Sequence, residues 1–213
     1  MNIVILTSKG SWCQPIAVEL RDLLVKEGHE VFLLDSHEQL KNLSTVSEVC
    51  LLLGYYEIVP KEYLNICNIN CCFHESFLPE GRGFAPLTWQ ILEGKNSIPV
   101  TLFEVTDQID AGDIFAQQIV HIEDTDILSD IRRKIGKTHC EIFLATLRGG
   151  FKQRKKQEGV ATYYGRRTPK DSELDISRSI KEQLNLLRVC DDESYPAHFY
   201  YKSQKYLLKL EKG

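Results

Sequence analysis

Asn2-Ile3-Val4-Ile5-Leu6 is a β-branched apolar run, the composition of a short strand buried on both faces. Outward from it, residues 14–27 place Ile16, Leu20, Leu23 and Leu24 at helical spacing. Gly28 follows as a C-cap, and residues 29–34 return to an apolar strand pattern. A third buried run fills 49–53 and stops at Gly54. Strand, helix, strand, loop, strand in this order predicts an α/β fold, a parallel sheet with helices on both faces. Ligands of such sheets sit beyond the carboxyl ends of the strands. Chemistry is therefore expected in the loops after Leu6, after Leu53 and before His74.

Further along, Pro86 opens and Gly94 closes a helix over 86–94. Residues 100–104 and 113–120 read as an antiparallel pair joined by the polar segment 107–112. Ile127, Ile131, Ile135, Ile142 and Phe143 predict a long amphipathic helix over 127–148, ended by Gly149-Gly150. Residues 151–169 read as a surface connection, 171–192 as one more helix and 194–210 as a hairpin. The expected division is a catalytic domain at 1–150 and a C-terminal connection, helix and hairpin at 151–213.

Composition narrows the function. The 213 residues are 43% hydrophobic, enough to bury a core without disulfides or a structural metal. Lys and Arg number 26 against 30 Asp and Glu, a net charge of −4 that disfavours a nucleic-acid binder. No apolar run is long enough to span a bilayer, and residues 1–7 lack the basic and apolar regions of an export signal. Seven cysteines are an odd number and read as reduced thiols of a cytoplasmic protein. Cys67, Cys71, Cys72 and His74 invite a zinc reading, but the spacing is not Cys-x-x-Cys and alternate strand residues point apart. They are assigned to the core, and no metal is expected.

The segment Cys72-Phe73-His74-Glu75-Ser76-Phe77-Leu78-Pro79-Glu80-Gly81-Arg82-Gly83-Phe84-Ala85-Pro86 outweighs the rest. His74 ends a strand and begins a Pro- and Gly-punctuated loop, and an imidazole there can move protons near neutrality. Asp110 lies 36 residues later, in the turn before Gly112, where a backbone can approach closely. Lys9 and Ser11 follow the first strand, where backbone amides and a lysine could receive a phosphate. Tyr163-Tyr164 beside Arg166-Arg167 could stack on a base and pair with a diphosphate, although both features also suit an ordinary surface.

Taken together, His-x-Ser-x-Leu-Pro-x-x-Arg-Gly, Ala-Pro and Ile-Asp-Ala-Gly-Asp-Ile resemble the signature of the formyltransferases that use N10-formyltetrahydrofolate. The likeness is strong over 48–122 and includes 51–60, similar to the family's folate-pocket loop. It implies a Rossmann-like core and a cofactor site at Leu53, Gly54, Tyr55, Tyr56, Ile58, Asp107 and Ile109. It also implies that an acceptor amine attacks the formyl carbon, with His74 steadying the oxyanion and relaying the proton, and Asp110 orienting the imidazole. Where the family carries an asparagine two residues before the histidine, this chain has Cys72, a weaker donor in a catalytic position.

Of the acceptors the resemblance implies, methionyl-tRNA is disfavoured by the negative charge and the absence of a basic C-terminal domain. The Gly81-Arg82-Gly83 ending and the segment through Ser194-Tyr195-Pro196 look like the branch that acts on nucleotide-linked amino (dideoxy) sugars for surface polysaccharide or O-antigen. Lys9, Ser11, Arg82, Tyr163 and Tyr164 are then the acceptor-binding candidates. Glycinamide ribonucleotide as acceptor, or a folate-binding relative impaired through Cys72, are the alternatives. The hairpin at 194–210 is the expected contact of a homodimer.

Overall fold

The computed structural model describes residues 1–43 and 47–213. Six strands form the central sheet in the order β2-β1-β3-β4-β6-β7. They are β1 (Asn2–Leu6), β2 (Glu30–Leu34), β3 (Ser47–Leu52), β4 (Cys67–His74), β6 (Ser97–Glu104) and β7 (Ile114–His121). The first four run parallel, with Ile3 level with both Val31 and Val49. Strand β6 reverses direction against β4, and β7 against β6. The sheet is thus parallel where the loops carry the chemistry and antiparallel on one flank, as the 100–104 and 113–120 pattern predicts.

Helices α1 (Gln14–Lys26) and α4 (Leu128–Arg148) cover one face. They bury Ile3, Ile5, Cys71, Phe73, Leu102, Ile131, Ile135 and Phe143 in the larger core. On the opposite face a smaller core gathers Val4, Leu6, Cys50, Leu52, Val59, Tyr63 and Cys67 beside α2 (Lys61–Leu64). Strand alternation divides β4 between them. Ile69, Cys71 and Phe73 join the larger core, whereas Cys67 and Cys72 join the smaller one. Cys71 therefore points away from Cys72, Cys67 joins the smaller core at the start of the strand, none of the seven is in a disulfide, and no metal-holding cluster occurs among the described residues.

The C-terminal third departs from expectation. Residues 171–192 form no continuous helix: 3-10 turns at Pro169–Ser172 and Lys181–Gln183 precede a six-residue helix, α5 (Leu184–Val189). Side chains capture the backbone in between. Asp175 accepts from the Ser177 amide at 2.9 Å, and Glu182 from the Ser179 amide at 2.9 Å, in place of helical bonds. The connection 151–169 also carries structure. Its β8 (Tyr163–Tyr164) pairs in parallel with β5 (Arg82–Gly83), ahead of α3 (Pro86–Leu92). The hairpin forms as β9 (Ala197–Tyr201) and β10 (Gln204–Leu208).

Candidate active site

His74 closes β4 at the carboxyl edge of the parallel strands, 6% exposed. Its Nε2 donates to the Gly81 carbonyl at 2.7 Å, which fixes the ring plane. Nδ1 is thereby turned toward Asp110, whose Oδ2 lies 3.9 Å away, at ion-pair range rather than hydrogen-bond range. Thr101 Oγ1 donates to the Ser76 carbonyl at 2.7 Å and pins the strand end from β6.

Asp110 is held from three sides. Its Oδ2 accepts from the Gly83 amide at 2.8 Å. Its backbone sits in the left-handed region at φ 51°, where a short polar side chain is tolerated. Gln157 Nε2 donates to the carbonyls of Asp110 and Gly112 at 2.9 and 2.8 Å, while its Oε1 accepts from Arg82 at 2.5 Å. Gly112 is obligatory at the foot of this loop, because a Cβ there would lie 1.8 Å from the Glu104 carbonyl oxygen. Gly54 plays the same part opposite: a Cβ would lie 2.3 Å from Ser11 Oγ, so the loops after β1 and β3 touch.

Cys72 shares the His74 face of β4 and packs against the smaller core. Its thiol makes a weak contact to the Phe73 carbonyl at 3.4 Å. Burial, then the Asp110 and Glu75 carboxylates, push it far above the ordinary thiol range, so it stays neutral and can act only as a weak donor.

Of the expected cofactor residues, Leu53 is fully buried, whereas Tyr56, Ile58 and Ile109 stand exposed on two loops. Tyr55 accepts from the His37 amide at 3.2 Å and donates to Glu57 at 3.1 Å. Burial pushes its hydroxyl up to about 12. Asp107 lines a cavity of about 380 Å³ with Leu64, Asn70 and Val105, and Asn70 Oδ1 has no partner among the described residues.

The acceptor candidates are less gathered. Lys9 is exposed and pairs with Asp35 at 3.1 Å. Ser11 is buried and accepts from the Cys13 amide at 3.2 Å. Arg82, Tyr163 and Tyr164 meet in the β5–β8 pair, but Tyr164 stacks on Trp89 and donates to Glu93 at 2.8 Å, which leaves Tyr163 as the exposed ring.

Sequence reading missed Gln157, Thr162, which accepts from the Gly81 amide at 2.8 Å, and the pair Glu75–His139. One signal was present for His139: it falls four residues after Ile135, on the apolar stripe of α4.

A formyl transferase family profile matches residues 34–147, more than half of the chain. The methionyl-tRNA formyltransferase of Sulfurihydrogenibium sp. (strain YO3AOP1) is 30% identical over 194 residues, 85% of this chain and 61% of that protein. The chain spans between half and about three fifths of the curated relatives it matches. Among solved structures, methionyl-tRNA formyltransferase from Clostridium thermocellum superposes with a TM-score of 0.82 at 26% identity, covering 96% of this chain and 90% of that one. A 4-N formyltransferase from Francisella tularensis shares the fold, with a TM-score of 0.78 at 17% identity over 99% and 97% of the two chains.

Proposed function

The chain belongs to the formyl transferase family, and from that premise we propose that it transfers a formyl group from N10-formyltetrahydrofolate to the amine of a nucleotide-linked amino (dideoxy) sugar. The observation that carries the reading is His74 beside Asp110 at the edge of the parallel strands, its second nitrogen anchored on Gly81. The folate supplies an activated formyl carbon when bound. Exposed Ile58 and Ile109 offer apolar surface for its flat head, and Asp107 with Asn70, whose Oδ1 has no partner among the described residues, lines a cavity that offers polar partners.

The chain's own residues do the rest. Asp110 faces Nδ1 and stabilises positive charge on His74 as that nitrogen takes a proton from the attacking amine. The donors at the strand end stabilise negative charge on the formyl oxygen. Cys72, two residues before His74, would have only a thiol to give there.

For the sugar acceptor, the net charge of −4 works against a polyanionic tRNA, and the Francisella 4-N formyltransferase matches along nearly its whole length. The names of the curated relatives favour the second reading, an initiator methionyl-tRNA acceptor. Residues 1–150 carry His74 and Asp110, and 151–213 add Gln157, Thr162 and β8 to the frame around them. The exposed Tyr200, Tyr201, Tyr206 and Leu207 of the hairpin are the surface for a second copy. Seven unpaired thiols suit the cytoplasm, and no helix among the described residues is long and apolar enough to cross a membrane.

The test is incubation with N10-formyltetrahydrofolate and a panel of nucleotide-linked amino sugars, glycinamide ribonucleotide and methionyl-tRNA, following release of tetrahydrofolate. Release with a sugar alone supports the proposal; release with methionyl-tRNA alone replaces it with the second reading. No release with any of them, despite folate binding, makes the chain a folate-binding relative that lacks transfer.

A further inference from the structure

Asn70 precedes His74 by four residues on β4, and alternation puts Asn70, Cys72 and His74 in one row on the same face of that strand. The rise of an extended chain sets Asn70 about 13 Å from His74 along the row. Its backbone is locked, since its carbonyl accepts from the Val105 amide at 2.8 Å. The residue is only 9% exposed. Nδ2 donates to the Leu64 carbonyl at 2.8 Å, and because a carbonyl can only accept, the amide cannot be turned over. Oδ1 is therefore the end left without a partner among the described residues. A buried acceptor without a donor costs about 1–3 kcal/mol, and native chains carry few of them. The position calls for a donor.

Asn70 lines the cavity of about 380 Å³ that lies between α2 and the loop after β6, together with Cys67, Val105 and Asp107. Asp107 brings a second acceptor to that cavity. Lys61 is the one cation among the described lining residues, and it is exposed to water at the rim. A carboxylate entering here would meet an amide oxygen and another carboxylate. A ring edge that carries N–H groups would meet acceptors.

We infer that Asn70 reads the pterin of the cofactor: its Oδ1 accepts a hydrogen bond from the 2-amino group of the pyrimidine ring. The inference rests on the folate reading proposed above and names the residue that selects the heterocycle. Of the N–H donors on that ring system, the 2-amino group lies farthest from N10. The separation of Asn70 from His74 along β4 is comparable to that reach, so one molecule can meet both ends of the row. The opposite orientation, with the glutamate tail in the cavity, would set its carboxylates against Asn70 Oδ1 and Asp107. Asn70 touches no reacting atom. It determines which ring enters and which way round, and so brings the formyl-bearing nitrogen to the His74 end.

Two ligands test this by binding alone, with no acceptor present. One is the quinazoline analogue of N10-formylfolate, which resists oxidation; the other is the same molecule with hydrogen in place of its 2-amino group. Calorimetric titration gives Kd for each. The parent should bind the amino compound about tenfold more tightly, the scale of a donor lost opposite a buried acceptor. Asn70→Leu removes the acceptor and should bring the two Kd values within about threefold of each other. Asn70→Asp gives up the bond to Leu64 but keeps an oxygen in place, so its preference for the amino compound should stay near about tenfold. A purely structural role would weaken both compounds alike in both variants. Equal binding of the two compounds by the parent overturns the inference, as does a full preference surviving in Asn70→Leu, and folate binding stands in either case. Should Asn70→Leu fail to fold, Asn70→Ala takes its place with the same expectation. A parent protein that binds neither compound removes the folate reading, and the inference with it.

Discussion

Arg188 Nη1 donates to the Glu123 carbonyl at 2.5 Å, from a side chain only 2% exposed and without a carboxylate at ion-pair distance among the described residues. A second contact reaches the Asp126 carbonyl at 3.4 Å. The guanidinium thus fastens α5 to the turn that precedes α4. Arg188→Ala should lower unfolding stability by about 3 kcal/mol, through a cavity and carbonyls left without donors. Arg188→Met, which keeps most of the volume, should cost roughly 1–2 kcal/mol. Urea unfolding measures both, and an Ala variant within about 0.5 kcal/mol of the parent would show that the contact holds nothing.

Acid should weaken the same corner. Burial of Asp126 raises its carboxyl, but Lys134 at 2.5 Å and the Glu123 amide at 2.8 Å more than reverse this, leaving it below the ordinary range. A carboxyl depressed on folding stabilises the fold above its unfolded pKa and loses that contribution as pH falls through the folded value. Stability measured from pH 6 downward should fall, and Asp126→Asn should start lower and fall less steeply. Parallel curves for the two proteins would assign the acid loss to other groups.

His74→Ala or His74→Asn should reduce turnover at least about a hundredfold with little change in folate affinity, the cost of removing a positioned proton carrier. Single-turnover kinetics beside folate titration separates the two quantities. Near-normal turnover in either variant would take His74 out of the chemistry.

Cys72→Asn places a carboxamide donor two residues before His74. A well-placed donor toward developing negative charge is worth roughly 2.7–4 kcal/mol, and less is expected where a smaller thiol packs against the core. Turnover should change clearly, upward if the amide fits, with folate binding nearly constant. Equal turnover for Cys, Asn and Ala at 72 would leave the formyl oxygen to His74 and backbone donors.

What the sequence could disclose followed the range of the forces involved. Strands β1 to β3 and helices α1 and α4 announced themselves because periodic burial is written into neighbouring residues. The helix expected within 171–192 is confined to Leu184–Val189 because Asp175 and Glu182 bond to nearby amides before it, a competition that apolar spacing does not register. His74 and Asp110 were legible through motif spacing. Glu75 and His139 meet across 64 residues, and Gln157 reaches Asp110 across 47, and no local pattern encodes such a meeting.

The strand pair of Arg82–Gly83 with Tyr163–Tyr164 makes the segment after residue 150 part of the frame of the candidate site. Gln157 steadies the Asp110 turn, and Thr162 receives the amide of Gly81, whose carbonyl anchors His74. A nick or transplanted junction between 150 and 157 would therefore disturb the imidazole and the carboxylate together, although neither lies near the cut. Recombination with a relative is better placed beyond Tyr164, where the exchanged piece carries none of these three supports.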